Sequence, residues 1–193
     1  MSKNQTTTSG MDWNVMLGLT QRLKQDRQYR DCVLITTGCY FGLRIGDLLS
    51  LRWNDILNKD ELVIIEQKTH KKRSVTINPK VHDAIEQYVK QRKAENRFQP
   101  DGYIFSNRWC SSLTISYVNK RLKVIFKKYN VSVQNPSSHT LRKTFGKRVY
   151  ESDSKSERAL VYLSEMFSHS SISVTRKYIG ITQQQIADVY LSL

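Results

Sequence analysis

The chain has 193 residues, 39% of them hydrophobic, with 31 lysines and arginines against 17 acidic residues, a formal net charge of +14. That length fits one ordinary domain, and no apolar run approaches the roughly 20 residues that span a bilayer, which excludes a membrane-embedded helical protein. The charge excess favours a polyanionic partner, nucleic acid ahead of an anionic membrane surface. The basic residues are spread along the chain, and no amphipathic basic helix stands out. Residues 1–10 are polar and lack the apolar stretch of a secretory signal, so the chain reads as cytoplasmic. Cys32, Cys39 and Cys110 are odd in number and form no C-x-x-C, so neither a disulfide framework nor a zinc site is indicated.

In chain order, residues 1–10 are expected to be disordered, because their composition offers little to bury. Asp12 is placed to cap a first helix carrying Trp13, Met16, Leu17 and Leu23. Residues 31–41 read as a second helix at the centre of the core, with Cys32 and Cys39 as small buried hydrophobes. Gly42-Leu43-Arg44 interrupts it, and 45–51 continues as a further helical turn or two. The period then changes. Residues 61–67 (ELVIIEQ) and 74–77 read as strands, joined by Lys68-Thr69-His70-Lys71-Lys72-Arg73 as a basic hairpin tip.

Pro79 opens a helix with Val81, Ile85, Tyr88 and Val89 on one face, and Pro100-Asp101-Gly102 is a turn. Residues 114–129 form the clearest amphipathic helix, with Ile115, Val118, Leu122, Ile125, Phe126 and Tyr129 at helical spacing. After a loop over 135–138, a helix over 139–150 carries the stripe Leu141, Phe145, Val149. Ser154 with Glu157 makes a capping box before a helix ending near Phe167, and Thr182 with Gln185 repeats that signature before a last helix over 183–191. The fold class is therefore α+β, mainly α: one helical domain over 11–181 with a small antiparallel β-sheet.

Four pieces carry chemistry. Arg44 is followed one helical turn later by Asp47, which alone reads as a surface ion pair. Lys68 alone reads as a solvated hairpin lysine. His139 and Arg142 stand side by side on one helix at the edge of the core. His169 precedes Tyr178 in FSHSSISVTRKY, and a tyrosine alone most often packs. Together, Arg44, Lys68, His139, Arg142, His169 and Tyr178 supply the roles of phosphoryl transfer without a metal. Two guanidiniums can clamp non-bridging oxygens, a lysine can protonate a leaving oxygen, histidines can exchange protons and a phenol can attack phosphorus.

The order and spacing of these residues resemble the tyrosine recombinase family, the integrases of phages and mobile elements. The similarity covers 39–181, with GLRIGDLLSLRWNDI, EQKTHKKRSVTI, SSHTLRKTFG and FSHSSISVTRKYIG matching the family's blocks in order. The resemblance implies that Arg44 and Arg142 bind the scissile phosphate and that Lys68 is the general acid for the departing 5′ oxygen. It makes His139 the acid/base histidine, His169 a hydrogen-bond donor to phosphate, Tyr178 the nucleophile and Asp47 a supporting acid. Lys71, Lys72 and Arg73 are expected to contact DNA. The activity implied is site-specific cleavage and rejoining of double-stranded DNA through a 3′-phosphotyrosyl intermediate, with no metal, ATP or other cofactor. It implies a monomer alone, a tetramer on paired sites, and exchange of 182–193 between protomers. Members usually carry an N-terminal core-binding domain that closes around DNA. Arg44 stands so near the start that the chain reads either as a catalytic domain or as a short member like the fimbrial-switch recombinases.

Other readings differ in class. An architectural DNA-binding module explains the charge and the helices but not six functional side chains at matching positions. A type IB topoisomerase-like enzyme shares the chemistry, but the segment after Tyr178 suits a recombinase that pairs protomers. A metal-dependent nuclease fits poorly, since His70, His82, His139 and His169 lack ligand spacing.

Overall fold

A computed structural model describes residues 7–181. Helix α1 (Trp13–Gln25) starts where Asp12 accepts from the amides of Asn14 and Val15. Its buried stripe runs through Met16, Leu19 and Leu23, while Leu17 points outward. Helix α2 (Tyr29–Phe41) is buried on every side from Asp31 to Cys39 and packs against α1, α5 (Pro79–Ala94) and α7 (Ser138–Ser152). It is the axis of the core. Gly38 permits the α7 approach, since a Cβ there would lie 2.6 Å from Leu141 Cδ1. Gly42 ends α2 with φ +57 in the left-handed region, where glycine carries no steric penalty, and a Cβ would run into the Phe145 ring.

Helix α3 (Ile45–Leu49) follows directly, with Arg44 at its N-cap. A short α4 (Trp53–Ile56) was not expected from the sequence; Trp53 is buried there against Tyr88 and Phe98. Strands β1 (Glu61–Ile65) and β2 (Lys72–Thr76) pair antiparallel from Glu61↔Thr76 to Ile65↔Lys72. The connection, 66–71, is as long as expected but begins two residues earlier. Lys72 and Arg73 belong to β2, and the turn closes through Glu66 N donating to Lys71 O at 3.0 Å and His70 N to Glu66 O at 2.8 Å.

Asn78 caps α5, with Pro79 in its first turn, and Thr114 caps α6 (Ile115–Lys128). Ile115, expected on the apolar face, is 46% exposed, because the helix seats itself on Val118, Leu122, Ile125 and Phe126 one turn further on. Helix α8 (Glu157–Phe167) is capped by Ser156, whose Oγ accepts from Ala159 N, rather than by Ser154. Ser154 has φ 52 and lies in the turn between helices, so it cannot supply the extended backbone of a cap. Helix α9 (Ile172–Ile179), capped by Ser171, has no expected counterpart; serine, threonine and β-branched residues give it little intrinsic propensity, and it rests on α7 and α8.

Residues 7–10, part of the stretch expected to be disordered, lie against the rest of the chain. Ser9 N donates to Gln134 O at 3.0 Å, and Met11, 2% exposed, donates its amide to Thr144 Oγ1. The small side chains and Gly10, which fits against the Lys143 backbone, let this strap lie flat on α7. Residues 1–6 and the expected helix over 183–191 lie outside the described residues. Among the described residues no helix is long and apolar enough to cross a membrane.

Candidate active site

The site forms where α2 ends, the hairpin turns back, and α7, α8 and α9 converge. The left-handed Gly42 redirects the chain so that Arg44 leaves the core. Its Nη1 donates to Glu66 Oε2 at 2.6 Å and its Nη2 to the Phe167 carbonyl at 3.0 Å. Helix α7 carries the opposing group. Arg142, 5% exposed, donates from Nη2 to the same Phe167 carbonyl at 2.9 Å and lies 4.3 Å above the Phe167 ring. One carbonyl oxygen thus receives both guanidiniums. It is free to do so because α8 ends there, with Ser168 in the left-handed region at φ 51.

Burial pulls the Arg142 pKa down to about 10, and the positive charges of Arg44 and Arg73 push in the same direction against Tyr178 and Glu66. Arg142 Nη1 is buried without a hydrogen-bond partner among the described residues. A spare buried donor beside other cations is suited to an anion.

His139 stands one turn before Arg142, open to solvent, with Nδ1 3.4 Å from Tyr178 Oη. Crowding of the imidazole by its neighbours, then the charges of Arg142 and Lys143, lower its pKa from the ordinary value. His169 lies on the far side of Tyr178, ring centroids 5.2 Å apart, and its Nδ1 contacts Thr175 Oγ1 at 3.0 Å. Partial burial, followed by Arg142 and Arg44, lowers its pKa as well. Both imidazoles therefore favour the neutral form. The Tyr178 ring is boxed by Phe167 at 5.4 Å, His169 and the Lys143 ammonium at 5.3 Å. Burial raises the phenol's pKa, and Arg142 and Arg44 partly offset that. A cleft of about 720 Å³ opens beside Tyr178, lined by Thr8, Asn135, His139, Lys143 and Val174.

Five of the six side chains singled out from the sequence, Arg44, His139, Arg142, His169 and Tyr178, are thus gathered by these contacts. Lys68 stands apart on the exposed turn after β1, with no side-chain partner among the described residues. Asp47 is buried below Arg44. Its Oδ1 accepts from Gln67 N at 2.9 Å, so it secures the residue next to Lys68 rather than an arginine. Lys71 and Lys72 are exposed, but Arg73, expected to face DNA, turns inward. Its guanidinium donates to the carbonyls of Phe41 and Met166 and lies 3.7 Å from Glu66.

Three contributors escaped the sequence reading. Glu66, 1% exposed, sits beneath two arginines; Lys143 covers the Tyr178 ring; Phe167 supplies the shared carbonyl. Only Glu66 left a signal, a carboxylate directly after the apolar run Leu62-Val63-Ile64-Ile65.

A statistical description of the phage integrase family matches residues 11–185. The chain is 31% identical over 176 residues to the probable integrase/recombinase YoeC of Bacillus subtilis, covering 88% of this chain and 91% of that protein. It is 30% identical to the TnP I resolvase of Bacillus thuringiensis over 86% of this chain, but spans only 55% of that relative. The fold resembles the crystal structure of XerA recombinase at a TM-score of 0.72 and 19% identity, covering 95% of this chain and 64% of XerA. It also resembles the Tn1549 transposon integrase in complex with transposon right end DNA, at a TM-score of 0.72 and 18% identity, covering 100% of this chain and 67% of that one. With the family pattern spanning nearly all described residues, and a mainly helical fold with one small hairpin shared with those recombinases, the chain belongs to the phage integrase family of tyrosine recombinases.

Proposed function

We propose that this chain cleaves and rejoins double-stranded DNA at specific sites through a covalent bond between Tyr178 and a 3′ phosphate. The observation that carries this is the Tyr178 hydroxyl 3.4 Å from His139 Nδ1, beside two arginines that meet on one carbonyl. Arg44 and Arg142 hold the non-bridging oxygens of the scissile phosphate and take up the charge added in the transition state. His139, neutral because its pKa is lowered, accepts the phenolic proton as Tyr178 Oη bonds to phosphorus. The bond from phosphorus to the 5′ oxygen breaks, and Lys68 delivers a proton to that oxygen; its exposed turn lets it reach into bound DNA. His169 donates a hydrogen bond to the phosphate, and Asp47 steadies the Lys68 turn through Gln67. The reverse attack by a 5′ hydroxyl rejoins the strand, with no net consumption of bonds and no need for ATP or a metal. Exposed Lys71 and Lys72 add sequence-independent contacts to the DNA backbone.

The chain acts on DNA in the cytoplasm, as a monomer in solution and a tetramer on paired sites, with 182–193 passed to a neighbouring protomer. The test uses a nicked duplex carrying the target site, in excess EDTA. The protein is expected to form a covalent adduct there, and Tyr178→Phe to form none while binding the duplex within about twofold of wild type. An equal adduct yield from the Phe variant would move the nucleophile to another tyrosine, and a strict magnesium requirement would reject the mechanism.

A further inference from the structure

The carboxylate of Glu66 is almost completely buried, yet it joins three parts of the site. Its Oε2 accepts from Arg44 Nη1 at 2.6 Å, from Thr69 Oγ1 at 2.6 Å and from Ser168 Oγ at 3.2 Å. Those partners lie on separate segments: the start of α3, the turn that carries Lys68, and the α8–α9 turn that carries His169. Its other oxygen, Oε1, has no hydrogen-bond partner among the described residues but faces Arg73 at 3.7 Å. Burial works to raise its pKa, but the donors Thr69 and Arg44, with Ser168 and the Arg44 charge, outweigh it and hold the carboxyl below the ordinary value. Glu66 is therefore ionised at neutral pH. It is the carboxylate in ion-pair contact with both Arg44 and Arg73, which with Arg142 put three guanidiniums within electrostatic reach of one another.

We propose that Glu66 is the positioning residue of the phosphate clamp, aligning Arg44 and tying the Lys68 and His169 turns to it. This rests on the reading of the site as a strand-cleaving centre. Two consequences have opposite sign. Because Glu66 already occupies one amine of Arg44, it competes with the scissile phosphate in the ground state and weakens binding of intact DNA. Because it fixes the orientation of Arg44 and the spacing of the two turns, it favours the transition state, and misplacement of such groups by about an ångström can cost about a hundredfold in rate. A group that merely supports the fold would move binding and cleavage in the same direction.

The experiment measures, on one nicked duplex, the dissociation constant and the single-turnover rate of adduct formation for wild type and Glu66→Gln. Expected for Glu66→Gln is binding equal to or tighter than wild type, with cleavage slower by about a hundredfold. Adding Arg73→Gln, which restores the charge balance without touching Arg44, is expected to recover about tenfold of that loss, as coupled neighbours do. In case the buried Gln variant does not fold, Thr69→Val/Ser168→Ala cuts the two neutral ties and keeps the ion pair; it should bind DNA normally and cleave about tenfold slower. Wild-type cleavage by Glu66→Gln or by the Thr69/Ser168 variant overturns the proposal, as does a parallel loss of binding and cleavage that Arg73→Gln leaves unrepaired. Absence of any adduct from wild-type protein is a separate result: it rejects the strand-cleaving reading itself, and this inference with it.

Discussion

At the scale of single residues, the chemistry depends on which groups are neutral. Burial holds the Tyr178 phenol above the ordinary tyrosine value, so in the proposed reaction it must lose a proton during attack at neutral pH. His139 is the proposed acceptor and can accept only while neutral. Crowding of its ring, with Arg142 and Lys143 nearby, puts its pKa below the usual 6.5, so lowering the pH through 6.5 leaves most of it neutral. The acid limb of the cleavage rate is therefore expected to centre below 6.5. His139→Gln should lose the limb and run about a hundredfold slower, the lower end of what general base catalysis contributes. A pH profile of single-turnover cleavage checks this, and a limb centred above 6.5 would show that the cationic surroundings do not control the base.

Among elements, the seam between α7 and α9 decides where Tyr178, the proposed nucleophile, stands. Gly146 sits in that seam: a Cβ there would fall 2.8 Å from Ile179 Cγ2 and 3.1 Å from the Phe167 ring. Ile179 is the neighbour of Tyr178, and Phe167 is the floor of the arginine clamp. Gly146→Ala must therefore push α9 away or tilt Phe167, an overpacking change that costs about 1–3 kcal/mol. Its effect should concentrate on chemistry. Cleavage is expected to fall at least about tenfold, as small misplacements of reacting groups do, with DNA binding held within about twofold. Gel-shift titration beside adduct kinetics measures both, and an unchanged cleavage rate would mean that α9 is not set by this contact.

For the whole molecule, charge and length matter together. A net +14 favours DNA by releasing condensed counterions, with little dependence on base sequence. Most of the relatives are longer than this chain, which spans 55% of the TnP I resolvase and 50% of the XerD of Lacticaseibacillus casei. Assembly is the property that a single protomer cannot supply. In 182–193, Ile186, Val189, Tyr190 and Leu193 place apolar residues at helical spacing behind the Thr182/Gln185 capping signature. Deleting 182–193 is expected to leave binding to one site nearly unchanged while abolishing pairing of two sites and strand exchange. Recombination assays with gel analysis of paired complexes check this, and undiminished exchange by the truncated protein would rule out a bridging role.

Local information sufficed for much of the chain. Periodicity located the apolar helices and the hairpin, the Asp12 start followed from capping chemistry and the Pro79 start from proline's place in a first helical turn, and Gly42 marked the interruption after α2. The motif blocks named Arg44, His139, Arg142, His169 and Tyr178 because residue type and order are written in the chain. Other features depended on partners distant in sequence. Arg44 meets Glu66 across 22 positions and Phe167 across 123, so neither the buried carboxylate nor the shared carbonyl has a local signature. Arg73 looks like a solvated hairpin arginine until Glu66 and the ends of α2 and α8 give it buried acceptors. Helix α9, Ser156 as the α8 cap and the docking of 7–10 on α7 were likewise settled by packing, which outweighs weak local propensities. Sequence alone determined which groups are present and in what order; the tertiary structure decided which of them share one buried charge balance, because burial and long-range contact set an ion's partners.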